Sequence, residues 1–290
     1  MKARERGIMS RYDFKKRPVV FIYSLSVLMI VIMMFTMLYP IAYIFMNSLK
    51  PNPELFSFPP RFFPSEWVWD NYSKSWDYIP LTLFMRNTLL LFVGNMLSIM
   101  IITGPAAFGL SKMQVPGKRF IALFFLTTLL IPPTTYIIPN FINIKELGLL
   151  NSFWAFWLPA GANAFYLLLL KSFFDSIHHE LFEAARIDGA SELRCYFQIA
   201  FPLSVPIFAT LAIFVFNTAW NEWFWPSMVM HSDDRYPLAT AIYKYVIQAR
   251  MMDWNQRFAI LAMVTIPPIV IFLLFQKYII RGLHLSAVKG

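Results

Sequence analysis

Apolar residues in this chain gather into runs far longer than the face of a soluble helix requires. Six stretches, at roughly 19–46, 81–110, 119–139, 153–173, 203–227 and 256–280, consist mainly of Leu, Ile, Val, Phe, Met and Ala. About 20 predominantly apolar residues span the hydrocarbon core of a bilayer as a helix, so each stretch predicts a transmembrane helix. Pro105, Pro132, Pro133, Pro267 and Pro268 fall inside these runs. They predict kinks, because neighbouring helices can satisfy the backbone groups that a proline frees. The first run exceeds the roughly 7–15 residues of a signal-peptide core and lacks a small-residue cleavage site, so it predicts a retained anchor.

The polar connections orient this array. Lys2, Arg4, Arg6, Arg11, Lys15, Lys16 and Arg17 precede the first run, and Lys112, Lys118, Arg119, Arg281 and Lys289 fall on the same predicted side. Basic residues accumulate on the cytoplasmic side of membrane proteins, which predicts that both termini are cytoplasmic. Segment 47–80, on the opposite side, balances three basic residues (Lys50, Arg61, Lys74) against Glu54, Glu66, Asp70 and Asp77. Its Trp67, Trp69, Tyr72, Trp76 and Tyr78 suit a membrane interface. The expected organisation is a basic tail at 1–18, one membrane domain at 19–281 and a short tail at 282–290. The long external segments are 47–80 and 228–255.

Composition supports this reading. The 290 residues are 58% hydrophobic and only 14% charged, with a mean hydropathy of +0.54, whereas soluble domains carry about 25% charged residues. The net charge of +9 is concentrated at the cytoplasmic edges, so it reads as a topology signal and a match to anionic lipid rather than a nucleic-acid surface. Cys195 is the sole cysteine, which excludes an intrachain disulfide. No base lies near it in sequence to activate it, so it reads as an incidental thiol. No catalytic or metal-binding set is evident.

One cytoplasmic connection departs from the charge bias. Residues 171–198 set Lys171, Arg186 and Arg194 against Asp175, Glu180, Glu183, Asp188 and Glu192. An acid-rich loop on the inner side predicts a surface covered by a protein partner. Locally it predicts two short helices. Ser176 caps the first, whose apolar face is Leu181, Phe182, Ala185 and Ile187. Gly189 ends it, because glycine tolerates the left-handed conformation at a helix C-terminus. Ser191 caps the second. Ala184 and Ala185 permit close approach, while Glu183 and Asp188 offer acceptors and charge.

Glu183-Ala184-Ala185, Gly189 and, ten residues after it, Ile199-Ala200-Phe201-Pro202 resemble the EAA loop of importer-type ABC permeases, with Phe201 in place of a leucine. Trp220-Asn221-Glu222-Trp223-Phe224-Trp225-Pro226, Tyr236-Pro237-Leu238-Ala239-Thr240, Ser111–Lys118 and the tail from Arg281 to Gly290 are similar to the second permease subunit of maltose-transporter-type carbohydrate importers. The resemblance spans nearly the whole chain in order. It implies an all-α polytopic membrane protein with six transmembrane helices, cytoplasmic N- and C-termini and a cytoplasmic coupling-helix loop between helices 4 and 5. It also implies a bacterial-type inner-membrane location, a second, related permease subunit, an ATPase dimer and an extracellular solute-binding protein. ATP and Mg would be bound by the partner ATPase. This chain shows no G-x-x-x-x-G-K-[ST] sequence of its own, so the expectation is a non-enzymatic transport subunit.

The resemblance assigns ATPase coupling to Glu183, Ala184, Ala185, Asp188 and Gly189. It also likens segment 228–255, with Asp233, Asp234, Arg235 and Tyr236, to the loop that reaches into the binding protein. Sugar binding calls for planar aromatic faces beside polar groups, which Asn217, Trp220, Asn221, Glu222, Trp223 and Trp225 supply near the outer end of the fifth run. Polar residues at membrane depth usually face an interior or a cavity, and Asn87, Asn95 and Asn163 are lesser candidates. The competing readings are a secondary transporter or channel working without an ATPase, and an ABC permease for a non-sugar solute. The first predicts an intramembrane ion site or an internal repeat, and the sequence displays neither.

Overall fold

A computed structural model describes the backbone from Arg17 to Ala287 and the side chains from Arg17 to Gln276. The basic residues from Lys2 to Lys16, the end of the C-terminal tail at 288–290 and the side chains of Arg281 and Lys289 lie outside the described residues. Every regular element among the described residues is helical. The α-helices in chain order are α1 (Arg17–Ser48), α2 (Asp70–Tyr78), α3 (Leu81–Ser98), α4 (Gly104–Lys112), α5 (Lys118–Thr128), α6 (Ile137–Glu146), α7 (Trp154–Gly161) and α8 (Ala164–Ser176). They continue as α9 (Glu180–Ile187), α10 (Glu192–Cys195), α11 (Phe201–Leu203), α12 (Val205–Asn221), α13 (Phe224–Val229), α14 (Leu238–Ile242) and α15 (Trp254–Ala287).

The six expected runs take three forms. Arg17–Ser48, Leu81–Lys112 and Trp254–Gln276 are continuous helices long and apolar enough to cross a membrane. The third and fifth runs are bent pairs: Lys118–Thr128 with Pro133–Glu146 turns through 96°, and Glu192–Leu203 with Val205–Asn221 through 75°. The fourth run divides into α7 and α8 at Ala162 and Asn163, and Asn163 Oδ1 accepts from Tyr166 N at 3.1 Å to cap α8. Prolines explain part of the difference. Pro132 and Pro133 sit at the 96° bend, where two missing amides and two rings oppose continuation. Pro267 and Pro268 stay inside α15 without a break.

Pro105 and Pro202 are accommodated differently. Each follows a π-helical turn, Ile99–Thr103 before the first and Tyr196–Ala200 before the second. A wider turn relaxes the clash between the proline ring and the preceding carbonyls. At the first turn a carbonyl finds a new partner, because Tyr196 Oη donates to Met100 O at 3.0 Å.

The chain divides into two compact units. Among the described residues, the first comprises 17–75 and 252–264. Its α1 exposes Met29, Met33, Met34 and Met37 with most of its other apolar side chains, as a lipid-facing helix does. Beyond α1 the long segment 47–80 is held by a buried polar clamp. Asn71 Nδ2 donates to Ser48 O at 2.8 Å and Lys50 O at 3.0 Å, and Asn255 Nδ2 donates to Asn71 Oδ1 at 3.0 Å. Lys50 Nζ donates to Asn47 Oδ1 at 2.7 Å. Buried polar groups need such partners, and burial pushes the Lys50 ammonium below its ordinary pKa.

The second unit comprises 76–251 and 265–287 among the described residues. Its core joins α4, α8, α9, the π-helical turn at Tyr196–Ala200 and α12 through Phe108, Leu170, Phe174, Phe182, Tyr196 and Leu211. Phe108 meets Phe174 edge-on at 6.1 Å, Phe182 at 5.5 Å and Tyr196 at 5.7 Å. Tilted and edge-to-face pairs of this kind add about 0.5–1.5 kcal/mol each beyond area burial.

Candidate functional site

The acid-rich loop folds as expected in outline but with its first cap moved. Ser176 ends α8 and its Oγ donates to Phe173 O, so it does not cap α9. His179 occupies the cap position without a side-chain cap bond, and its Nδ1 lies 3.0 Å from Glu183 Oε1. The expected apolar face also divides. Phe182 is 0% exposed and Ala185 packs against the core, whereas Leu181 is exposed and Ile187 is 86% exposed. Ala185 is therefore half-buried, with one side against the core. Glu183, Ala184, Asp188 and Gly189 remain on the surface.

The end of α9 shows why glycine occupies position 189. Gly189 has φ +81°, its N donates to Arg186 O at 3.0 Å, and Ala190 N donates to Ala185 O at 2.9 Å. This bond pair is the Schellman closure, which needs a left-handed residue at that point. Ser191 then caps α10 by accepting from Arg194 N at 3.3 Å, as expected. Across the turn, Arg186 Nε and Nη2 reach the two Glu192 oxygens at 2.7 and 3.0 Å, and Nη2 also donates to Lys112 O at 3.2 Å. The ion pair lowers the Glu192 pKa and raises that of Arg186.

Lys112 secures the loop from α4. Its Nζ donates to Ile177 O at 2.6 Å and stands 5.5 Å from the centre of the Phe182 ring. Phe201, where the motif has leucine, lies 5.1 Å from Phe208 and 6.2 Å from Tyr196. The larger ring thus extends the aromatic core. Cys195 is buried within it.

A cavity of about 340 Å³ opens among α3, α7, α8, α12 and α13. Its polar wall is formed by Asn95, Tyr136, Asn163, Tyr166, Thr218, Glu222 and Trp225, and apolar side chains form the rest. Asn95 Oδ1 is buried and has no hydrogen-bond partner among the described residues. Glu222 Oε1 accepts from Phe224 N at 2.9 Å and Trp225 N at 3.1 Å. Gly94 lets α3 approach α7 closely, because a Cβ there would lie 2.0 Å from Trp157 Nε1.

Of the six pathway residues expected from the fifth run, Glu222 and Trp225 line this cavity. Trp220 is buried and stacks on Phe216 at 5.2 Å, so it is a packing residue. Trp223 stacks on Tyr243 at 3.9 Å. Asn217 and Asn221 are exposed and bond to one another through Asn221 Nδ2. Among the lesser candidates, Asn95 and Asn163 line the cavity. Asn87 instead donates to Asp234 O and Tyr236 O. Tyr166 and Thr218, which also line the cavity, were not among the residues that the sequence pointed to. Each sits in an apolar run and has no distinguishing spacing.

Segment 228–255 is folded rather than an open connector. It contains α14 and a π-helical turn at Tyr243–Ile247. Lys244 Nζ pairs with Asp233 Oδ1 at 3.0 Å, which lowers the Asp233 pKa and raises that of Lys244. Arg235 donates to the Asn151 carbonyl. Tyr236 is 7% exposed and lies beneath Lys244, whose Nζ is 4.7 Å from its ring centre. Asp233, Asp234 and Arg235, in contrast, are exposed.

Bent apolar helices around a polar-edged cavity, with a charged helical loop packed on their aromatic core, fit a helical membrane-transport subunit. The chain belongs to the family of binding-protein-dependent transport system inner membrane components, whose pattern matches residues 101–285. It is a permease subunit of the inner membrane, a non-catalytic part of an ABC importer. It is 29% identical over 248 residues to the diacetylchitobiose uptake system permease protein NgcG of Streptomyces coelicolor, covering 83% of this chain and 80% of the relative. It is 28% identical over 266 residues to the sn-glycerol-3-phosphate transport system permease protein UgpE of Pectobacterium atrosepticum, covering 89% of this chain and 94% of that one. In three dimensions it is similar to a chain of a bacterial ABC transporter involved in the import of the acidic polysaccharide alginate. That match has a TM-score of 0.82 and 25% identity, and covers 94% of this chain and 99% of the other.

Proposed function

We propose that this chain forms half of the translocation pathway of an ATP-driven sugar importer and receives force from a separate ATPase at Glu183–Gly189. The observation that carries this reading is the build of α9. Glu183, Ala184, Ile187 and Asp188 face outward, while Phe182, on the same short helix, is locked into the aromatic core. A push on the outer face therefore reaches α4, α8 and α12 through packed rings, which deform little because protein interiors are close-packed. The termini and this loop are cytoplasmic in the proposal. A second, related permease completes the pathway, and an external binding protein delivers the solute near Asp233–Arg235.

The cavity supports a sugar as the solute. The unmet Asn95 acceptor suits a hydroxyl donor, Trp225 offers an aromatic surface, and the alginate and diacetylchitobiose systems carry saccharides. A non-sugar solute is the competing branch, because UgpE belongs to a glycerol-phosphate system. ATP hydrolysis stimulated by a panel of glycans presented on the binding protein separates the two.

Coupling is tested by Ala184→Cys. Native Cys195 is buried, so the introduced thiol is the accessible one among the described residues. A short bifunctional cross-linker should join it to the ATPase and halt uptake. Absence of any cross-link while uptake proceeds would remove the proposed contact.

A further inference from the structure

We propose that the cleft between α5 and α8 is a binding site for the headgroup of an anionic phospholipid. The cleft holds about 360 Å³ and is walled by Ser111, Lys118, Arg119, Ala122, Lys171 and Asp175, with Leu110 behind them. Three cations face one carboxylate, and that carboxylate is already engaged. Asp175 Oδ1 accepts from Ser111 Oγ at 2.6 Å, and Oδ2 pairs with Lys171 Nζ at 2.8 Å. Lys118 Nζ makes one long bond to Met113 O at 3.3 Å, which leaves donors of its ammonium for a ligand. Arg119 is exposed and adds a planar fork that suits phosphate oxygens.

The surroundings select lipid over a soluble anion. α5 begins at Lys118, and the turns that follow expose Phe120, Leu123, Phe124 and Leu126. A molecule whose phosphate meets Lys118 and Arg119 can lay its acyl chains along these side chains. Basic clefts between membrane helices at the membrane surface are the usual place for anionic headgroups. The site is separate from the sugar cavity and from the exposed face of α9, so it stands whether or not those assignments hold.

The test uses the assembled transporter containing the full chain. Native mass spectrometry counts retained phosphatidylglycerol and, separately, phosphatidylcholine with the same acyl chains. Lys118→Gln with Arg119→Gln should weaken phosphatidylglycerol retention about thirtyfold, from roughly fivefold per cation near an anionic surface, and leave phosphatidylcholine unchanged. Unchanged phosphatidylglycerol retention overturns the proposal. Because these cations also influence insertion, a second measurement uses the unaltered protein. A phosphatidylglycerol with a photoreactive acyl chain should label peptides of α5 and α8, and millimolar inorganic phosphate should not prevent it. Labelling confined to other helices, or loss of labelling with phosphate alone, contradicts the lipid site.

Discussion

Removing the Phe182 ring should disconnect the cytoplasmic loop from the helices it is proposed to move. Phe182 is fully buried, with Phe108 at 5.5 Å on one side and the Lys112 ammonium 5.5 Å from its ring centre. Phe-to-Ala changes in packed cores cost about 3–5 kcal/mol. Borne by the docking of α9 alone, that cost shifts the docked-to-undocked ratio by roughly 10²-fold to several thousandfold. In proteoliposomes with the partner subunits, Phe182→Ala should lower solute uptake per ATP hydrolysed by at least tenfold while the ATPase continues to turn over. Phe182→Leu keeps most of the apolar volume, costs below about 2 kcal/mol and should retain most of the ratio. It also serves as the readable variant if alanine prevents assembly. A normal uptake-to-hydrolysis ratio in a correctly assembled Phe182→Ala transporter would refute transmission through this ring.

Three further outcomes follow from particular contacts. The Glu192 pKa is lowered by Arg186, so its contribution to loop order is present above its unfolded pKa and is lost as pH falls through the lowered folded value. A spin label at Ile187→Cys should gain mobility on acidification through and below the ordinary carboxylate range, and Glu192→Gln should remove that step. Gly104→Ala would place a Cβ 2.2 Å from Tyr196 Oη. Overpacking of this kind costs about 1–3 kcal/mol, so the thermal midpoint should drop by several degrees, and adding Tyr196→Phe should recover part of the loss. Glu222→Gln keeps an acceptor for Phe224 N and Trp225 N but removes charge from the cavity wall. It should change the KM for solute roughly tenfold with the thermal midpoint unchanged, and an unaltered KM would place solute elsewhere.

What the sequence made legible follows from what apolar length and local chemistry encode. Run length located the helical regions, and Gly189 and Ser191 were readable because a left-handed turn and an N-cap depend on their own side chains. The inward face of α9 was harder. Leu181 and Phe182 are both apolar, and tertiary packing alone decides that the second enters the core. The 96° bend at Pro132–Pro133 and the continuous α15 through Pro267–Pro268 show the same limit. A proline weakens the backbone locally, while neighbouring contacts determine whether the helix breaks.

The cavity was legible only in part. Glu222, Asn95 and Asn163 stand out as polar groups within apolar runs, which gives them a reason to turn inward. Trp220 and Tyr236 proved to be buried, which the sequence did not show because an aromatic ring serves packing as readily as binding. Helix rotation separates those roles, and rotation is set by packing against neighbours. Tyr166 and Thr218 come together across α8 and α12, a meeting that neither segment announces.

The most direct measurement is solute uptake into proteoliposomes containing this chain and its partner subunits, with and without the ATPase, before and after Glu183→Lys. The residue is exposed, and surface substitutions usually change stability by no more than about 0.5 kcal/mol, so the protein should assemble normally. Uptake should require the ATPase and ATP, and Glu183→Lys should abolish it. Undiminished uptake by Glu183→Lys, or uptake that persists without the ATPase, would contradict force entering at Glu183–Gly189.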